Sequence, residues 1–284
     1  MRVLKRIRNT KEYFYLQQSL RKDKKVITKE KYLGTTIPAN IVSRKESFKK
    51  ELQKDLFQKL LYIQKNFWQK WSRLPESVKE QELEEIAIEF TYNTNAIEGS
   101  TITLAETREI IHEHLAPRKS LRDVQETQAH SRLFLTILKE KQRITKSLLL
   151  AWHTALFEQT KPDIAGTFRD YLVRVGDYVA PDWQDIDSSL NSLTHFIAKS
   201  KLHPVELAAR VHYCFEKIHP FGDGNGRIGR LLMNYLLWHH RYPMLIFEYK
   251  KRKSYYAGFR KNEDAFTKYF FRRYLAVHKN KETN

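Results

Sequence analysis

The chemistry of this 284-residue chain is concentrated in one polar loop between two amphipathic segments. Leu207, Ala208, Val211, Phe215 and Ile218 recur at helical spacing before it, and Leu231, Leu232, Tyr235 and Leu236 after it. The loop reads His219-Pro-Phe-Gly-Asp-Gly-Asn-Gly-Arg-Ile-Gly-Arg230. Gly222, Gly224 and Gly226 leave backbone N–H groups unobstructed and permit positive φ. The run opens onto a helix N-terminus, where orphan amides and the helix dipole both favour an anion, and successive amides of such a turn can form an anion-binding nest. Arg227 falls in the first helical turn, the wrong end for a cation, and Arg230 follows three residues later on the same face. Each placement costs roughly a few tenths of a kcal/mol in isolation, and a bound polyphosphate reverses both signs. Asp223 would repel that anion unless a divalent cation lay between them; Mg²⁺ is commonly held by one carboxylate plus phosphate oxygens. His219 is the group whose unperturbed pKa suits proton removal near neutrality. Singly these are a helix cap, turn glycines and surface arginines; gathered in one loop they point to phosphate chemistry.

A second misplaced charge lies far upstream. The helix predicted to end near Gly99 finishes Asn-Ala-Ile-Glu98-Gly99, which puts a carboxylate at the negative end of the dipole. Gly99 is a suitable left-handed stop.

His219–Arg230 resembles the signature of the Fic family, His-Pro-Phe-x-Asp/Glu-Gly-Asn-Gly-Arg-x-x-Arg, at every specified position. The resemblance extends over roughly residues 80–275. It implies an all-α Fic-type core with a small β-hairpin flap, ATP as substrate with Mg²⁺, and transfer of AMP to Ser, Thr or Tyr of a target protein. By position it implies that His219 deprotonates the incoming hydroxyl and Asp223 holds the metal. Gly224, Asn225 and Gly226 form the anion hole, Arg227 meets the phosphates and Arg230 the γ-phosphate. Thr94-Asn-Ala-Ile-Glu98-Gly99 resembles the inhibitory motif of one class in this family. That likeness implies that Glu98 pairs with Arg230 and blocks seating of the γ-phosphate; the same Glu could align a water for removal of AMP. The stretch from Gly166 to Pro181 looks like the flap, which puts Val173, Arg174, Val175 and Gly176 against the nucleotide and a target segment on residues 166–182 by strand addition. Tyr255, Tyr256 and Asn262 resemble an adenine-side trio, with Asn262 about one residue off the usual spacing. A homodimer is implied by analogy alone. Alternatives are a Fic-fold enzyme moving another phosphate-containing group, although Gly224 and Gly226 argue against the kinase-like variants, and a basic nucleic-acid-binding regulator.

Several elements must position these residues. Residues 12–34 read as a β-hairpin with its turn at Arg21–Lys25, and Phe48, Leu52, Leu56, Leu60 and Ile63 as one helical face. Thr103 and Glu106 suggest a capping box, and further helices are predicted at about 121–139, 145–158 and 185–200. Gly176-Asp177 supplies a hairpin turn. The expected organisation is an N-terminal β-hairpin extension over 1–37, a helical region over 38–115 that includes the inhibitory helix at about 80–99, and a catalytic core over 116–278. Nine glycines and eight prolines favour long helices over turns. One cysteine, Cys214, excludes an internal disulfide, and the basic start lacks a secretory apolar stretch. A cytoplasmic enzyme with no membrane partner is therefore expected. The formal charge is +18, which suits polyanions, but the excess runs from Arg2 to Lys281 without gathering in one recognition helix. Nucleic acid is not expected as the main partner.

Overall fold

The computed structural model describes residues 1–22 and 25–279, and the chain divides into two compact units, Met1–Tyr62 and Ile63–Asn284. Residues 23 and 24, within the turn expected at Arg21–Lys25, lie outside the described residues. The boundary falls inside α1 (Ile41–Trp71).

The first unit holds a three-stranded antiparallel sheet in the order β1 (Arg2–Arg8), β2 (Lys11–Lys22), β3 (Lys25–Gly34). The hairpin expected over 12–34 is β2–β3; β1, unassigned from the sequence, adds the third strand. Its turn is Asn9-Thr10, with Arg8 paired to Lys11 and φ of 46° and 66° at the two loop residues. Two positive φ values are the mark of a type I′ hairpin, and Asn-Thr is a weaker signal for it than Asn-Gly. Leu16 and Leu33 of the sheet bury themselves on Phe48 of α1, joined by Val3, Phe14, Ile41 and Leu52. Lys31 and Glu51 bridge sheet and helix at 2.7 Å.

The second unit contains α2 (Glu76–Ile97), α3 (Leu104–Ile111), α4 (Leu121–Lys139), α5 (Lys146–Phe157), α6 (Ile186–Lys199), α7 (Pro204–Ile218), α8 (Asn225–His239), α9 (Arg252–Phe259) and α10 (Glu263–Lys279). Between α5 and α6 lies a small hairpin, β4 (Arg174–Val175) and β5 (Tyr178–Val179). The capping box is present: Thr103 Oγ1 accepts from Glu106 N at 3.2 Å, and Glu106 Oε2 from Thr103 N at 2.8 Å. Helix α8 is buried on nearly every side, with Ile228, Leu231, Leu232, Met233 and Leu237 fully enclosed and the polar Arg227, Arg230 and Asn234 buried beside them. Helix α7 packs along it, and α2, α4 and α5 also touch it. Among the described residues no helix is long and apolar enough to cross a membrane.

Candidate active site

The loop that joins α7 to α8 is bent by two left-handed residues. Gly224, the N-cap of α8, has φ 79°, and a Cβ there would lie 2.3 Å from the Phe157 ring. His219, the C-cap of α7, has φ 51° and ψ 59°. A non-glycine in this region stores strain of order 1 kcal/mol or more, and such residues cluster at functional sites. The His219 Nδ1 lies 3.3 Å from the carbonyl oxygen of Glu216. A carbonyl can only accept, so Nδ1 carries the proton and Nε2 keeps its lone pair. Burial is the main reason the His219 pKa lies below its ordinary value; the Glu216 carbonyl opposes that shift and nearby Arg169 reinforces it. The imidazole is neutral near pH 7, the form a general base requires.

Four residues that sequence reasoning missed hold this loop. His153 accepts from Gly166 N at its Nδ1 (3.0 Å) and therefore donates from Nε2 to the Asp223 carbonyl (3.0 Å), while its ring stacks on Phe221 at 4.0 Å. Burial drives its pKa down to about 4. Arg169, only 4% exposed, donates to the carbonyls of His219 (2.8 Å), Tyr171 (2.6 Å) and Pro181 (2.7 Å). One guanidinium thus ties both ends of the β4–β5 flap to the loop. Glu126 of α4 accepts from Arg227, Arg122 (3.2 Å), Lys161 (3.1 Å) and Thr160 (3.2 Å). Lys161 also pairs with Asp223. None of the four follows from periodicity, because the bond each makes to the loop spans 50 or more residues of sequence. Arg169 lies within the flap stretch but carries no local sign of its role.

The predicted site residues sort as follows. Asn225 clamps the loop from inside, its amide exchanging bonds with the backbone of Phe221 at 2.9 and 2.8 Å; any anion contact from it comes through the backbone. The first N–H groups of α8, at Asn225, Gly226 and Arg227, have no intrahelical acceptor. Asp223 accepts from Gly224 N at 2.5 Å. Burial alone would raise its pKa, yet Arg227 and Lys161 outweigh this and hold it at about 2. Arg227 is buried on Glu126, and its Nε has no hydrogen-bond partner.

Arg230, 2% exposed, spreads its guanidinium over three partners. Nε donates to Thr94 Oγ1 at 2.5 Å, Nη2 to Glu98 Oε1 at 2.5 Å, and Nη1 to the Tyr255 hydroxyl at 3.3 Å. Burial opposes its charge, but Glu98 beside it keeps the pKa above its ordinary value. Glu98 Oε1 also lies 2.1 Å from where a Gly226 Cβ would stand. The carboxylate therefore rests on the first turn of α8, where the anion was expected. The pairing of Glu98 with Arg230 is present.

On the flap, Arg174 pairs with Val179 and Val175 with Tyr178, while the Val173 carbonyl accepts from Ala180 N at 3.0 Å. Gly176 has φ 59° at the turn. Arg174, Val175 and Gly176 are exposed. Tyr255 is buried, its hydroxyl 2.9 Å from His212 Nε2. Tyr256 donates to the Ile97 carbonyl at 3.0 Å and is 44% exposed. Asn262 is exposed and caps α10, accepting from Ala265 N at 3.0 Å.

The residues fit a nucleotide with one divalent cation. Arg227 Nε and the first-turn N–H groups of α8 are donors without a hydrogen-bond acceptor, and Asp223 is one ionised carboxylate. Among the described residues no cluster of three His, Cys, Asp or Glu could cage a metal.

The loop and the helices around it lie in a stretch, residues 143–237, that matches the model of the Fic/DOC family. A protein adenylyltransferase Fic from Nematostella vectensis is 34% identical over 182 residues, covering 61% of this chain and 43% of that one. Another from Drosophila virilis is 37% identical over 172 residues, 58% of this chain and 36% of its own. The chain spans less than half the length of these relatives. Fic-1 from C. elegans superposes with a TM-score of 0.70 at 25% identity, over 85% of this chain and 75% of that chain. A Fic-domain protein from Bacteroides thetaiotaomicron gives 0.67 at 24%, over 76% and 94%, and shares the fold.

Proposed function

We propose that this chain transfers AMP from ATP to a hydroxyl of a target protein and that Glu98 restrains it. The observation that carries the reading is a carboxylate already seated in the anion cradle, bonded to Arg230 over the first turn of α8. His219 Nε2 takes the proton of the incoming Ser, Thr or Tyr hydroxyl. The new O–P bond forms at the α-phosphorus while the bond to the β-phosphate breaks, and pyrophosphate leaves. The α8 N-terminal amides and Arg227 stabilise the charge that accumulates on the phosphates. Mg²⁺ held by Asp223 would supply charge neutralisation on the same phosphates. Arg230 meets the γ-phosphate once Glu98 gives it up. The target segment lies along the flap, where Val175 and Val179 are 46% and 49% exposed, and adds a strand there.

The test uses ATP labelled at the α-phosphate with Mg²⁺. The Glu98→Gly protein should label itself and proteins in a cell extract, and no label in that variant would defeat the transferase reading. His219→Ala should remove labelling while ATP affinity persists; a matching loss of affinity would make His219 structural.

A further inference from the structure

The N-terminal unit plays no part in the chemistry above, yet it holds most of the unusual charge. Before the boundary at Tyr62, 17 Lys and Arg stand against 6 Asp and Glu, a net +11 of the chain's +18. The excess that reads as even along the sequence is therefore concentrated in about a fifth of the chain. Its sheet has two unlike faces. Val3, Phe14, Leu16 and Leu33 point to α1, so strand alternation turns the intervening residues outward. These are Arg2, Leu4, Arg6 and Arg8 on β1, Lys11, Tyr13, Tyr15, Gln17 and Ser19 on β2, and Thr28, Glu30 and Tyr32 on β3.

That face is aromatic and cationic together. Tyr15 lies 5.2 Å and Tyr13 6.3 Å, centroid to centroid, from Tyr32, and Tyr32 is 51% exposed. Arg6 covers Tyr15 at 5.0 Å and is fixed by Glu30 at 2.7 Å. Glu30 is the one carboxylate in this face among the described residues. Arg2, Arg8 and Lys11 are exposed along its border. Tyr15 is thus a support, whereas Tyr13 and Tyr32 offer ring surface beside the exposed Arg8 and Lys11 and an Arg2 whose Nε is held by Gln17 at 2.7 Å. A basic surface alone attracts any polyanion. Exposed rings add something only to a partner with unstacked planar groups: base–aromatic stacking joined to backbone cations is how single strands are held. A duplex keeps its base faces inside, and an acidic protein has none.

We propose that the outer face of β1–β3 binds single-stranded nucleic acid, with bases stacked on Tyr13 and Tyr32 and phosphates met by Arg2, Arg8 and Lys11. The test is fluorescence anisotropy of a labelled oligothymidylate titrated with the full chain, in saturating ATP so that the nucleotide site is occupied. Binding should weaken steeply as salt rises and exceed binding to a duplex of equal length. Tyr32→Ala should cost about tenfold in affinity, Tyr32→Phe should restore most of it, and Arg8→Glu should flatten the salt dependence. Circular dichroism checks that each variant is folded. Equal affinity for duplex with no effect of Tyr32→Ala would overturn the proposal, leaving a merely electrostatic surface. Binding of polyglutamate but not of the oligonucleotide at the same salt would overturn it in favour of an acidic protein partner.

Discussion

Arg227 and Arg230 sit three residues apart on α8, each buried against a carboxylate, yet their sockets differ. Glu126 comes from the second turn of α4, is buried, and is bonded to four side chains. Glu98 comes from the C-cap of α2, is 31% exposed at its side chain, and is followed by Gly99 at φ 96°. The first carboxylate cannot move without unpacking a helix; the second stands at a helix end beside a glycine joint. Arg230 also keeps Thr94 and Tyr255 when Glu98 is gone, whereas Arg227 without Glu126 would keep only Asp223, at 3.4 Å, and already carries one unpaired N–H. A buried pair is costly to break from one side, because a charge is left behind. The Glu126 socket is a fixture and the Glu98 socket a latch.

The largest expected effect breaks the fixture. Glu126→Ala should destabilise the protein by about 3–5 kcal/mol, a fall of roughly 10 °C in Tm by calorimetry. A drop no larger than that of Glu98→Gly would erase the distinction between the two sockets. Next, Glu98→Gly should raise labelling from ATP roughly tenfold or more, the factor that goes with lifting a coupling of about 1–3 kcal/mol. Its cost in Tm should be less than half that of Glu126→Ala. Third, Thr94→Ala removes the acceptor for Arg230 Nε and should cost about 1–2 kcal/mol. Labelling should stay low, since Glu98 remains in place; a rise equal to that of Glu98→Gly would make Thr94 part of the latch.

A last effect concerns pH. Burial, helped by Arg230, pushes His212 down to about 3, and burial pushes His203 down to about 4. The unfolded chain has ordinary histidines near 6.5. Between pH 6.5 and 4 it binds protons that the folded chain refuses, so stability is full above 6.5 and falls as pH drops through that window. Tm measured at pH 7.5 and pH 5 should decrease. An unchanged value would mean that these imidazoles are charged in the fold.

How much of this was legible in the residues can be judged from particular positions. The loop from His219 to Arg230, the misplaced Glu98, the Thr103–Glu106 capping box and the Gly176-Asp177 turn are local patterns. Each interaction spans a few residues, or shows itself as a charge at the wrong helix end. Strand β1 was missed because its turn, Asn9-Thr10, adopts a glycine-favouring conformation without a glycine. The concentration of charge was missed because a boundary inside a continuous helix leaves no mark in composition.

The amino-acid order by itself determined that a glycine-rich turn with unpaired amides opens α8, that His219 stands at its entrance, and that Glu98 and Arg230 each want a partner. Local backbone geometry and the helix dipole suffice for that. Only the tertiary structure decided that Glu126 anchors Arg227, that His153 and Arg169 hold the loop by its carbonyls, and that Glu98 rests against Gly226. Those are contacts between helices far apart in sequence. They form because burying α8 on all sides leaves its two arginines reachable only by groups that the packing brings to them.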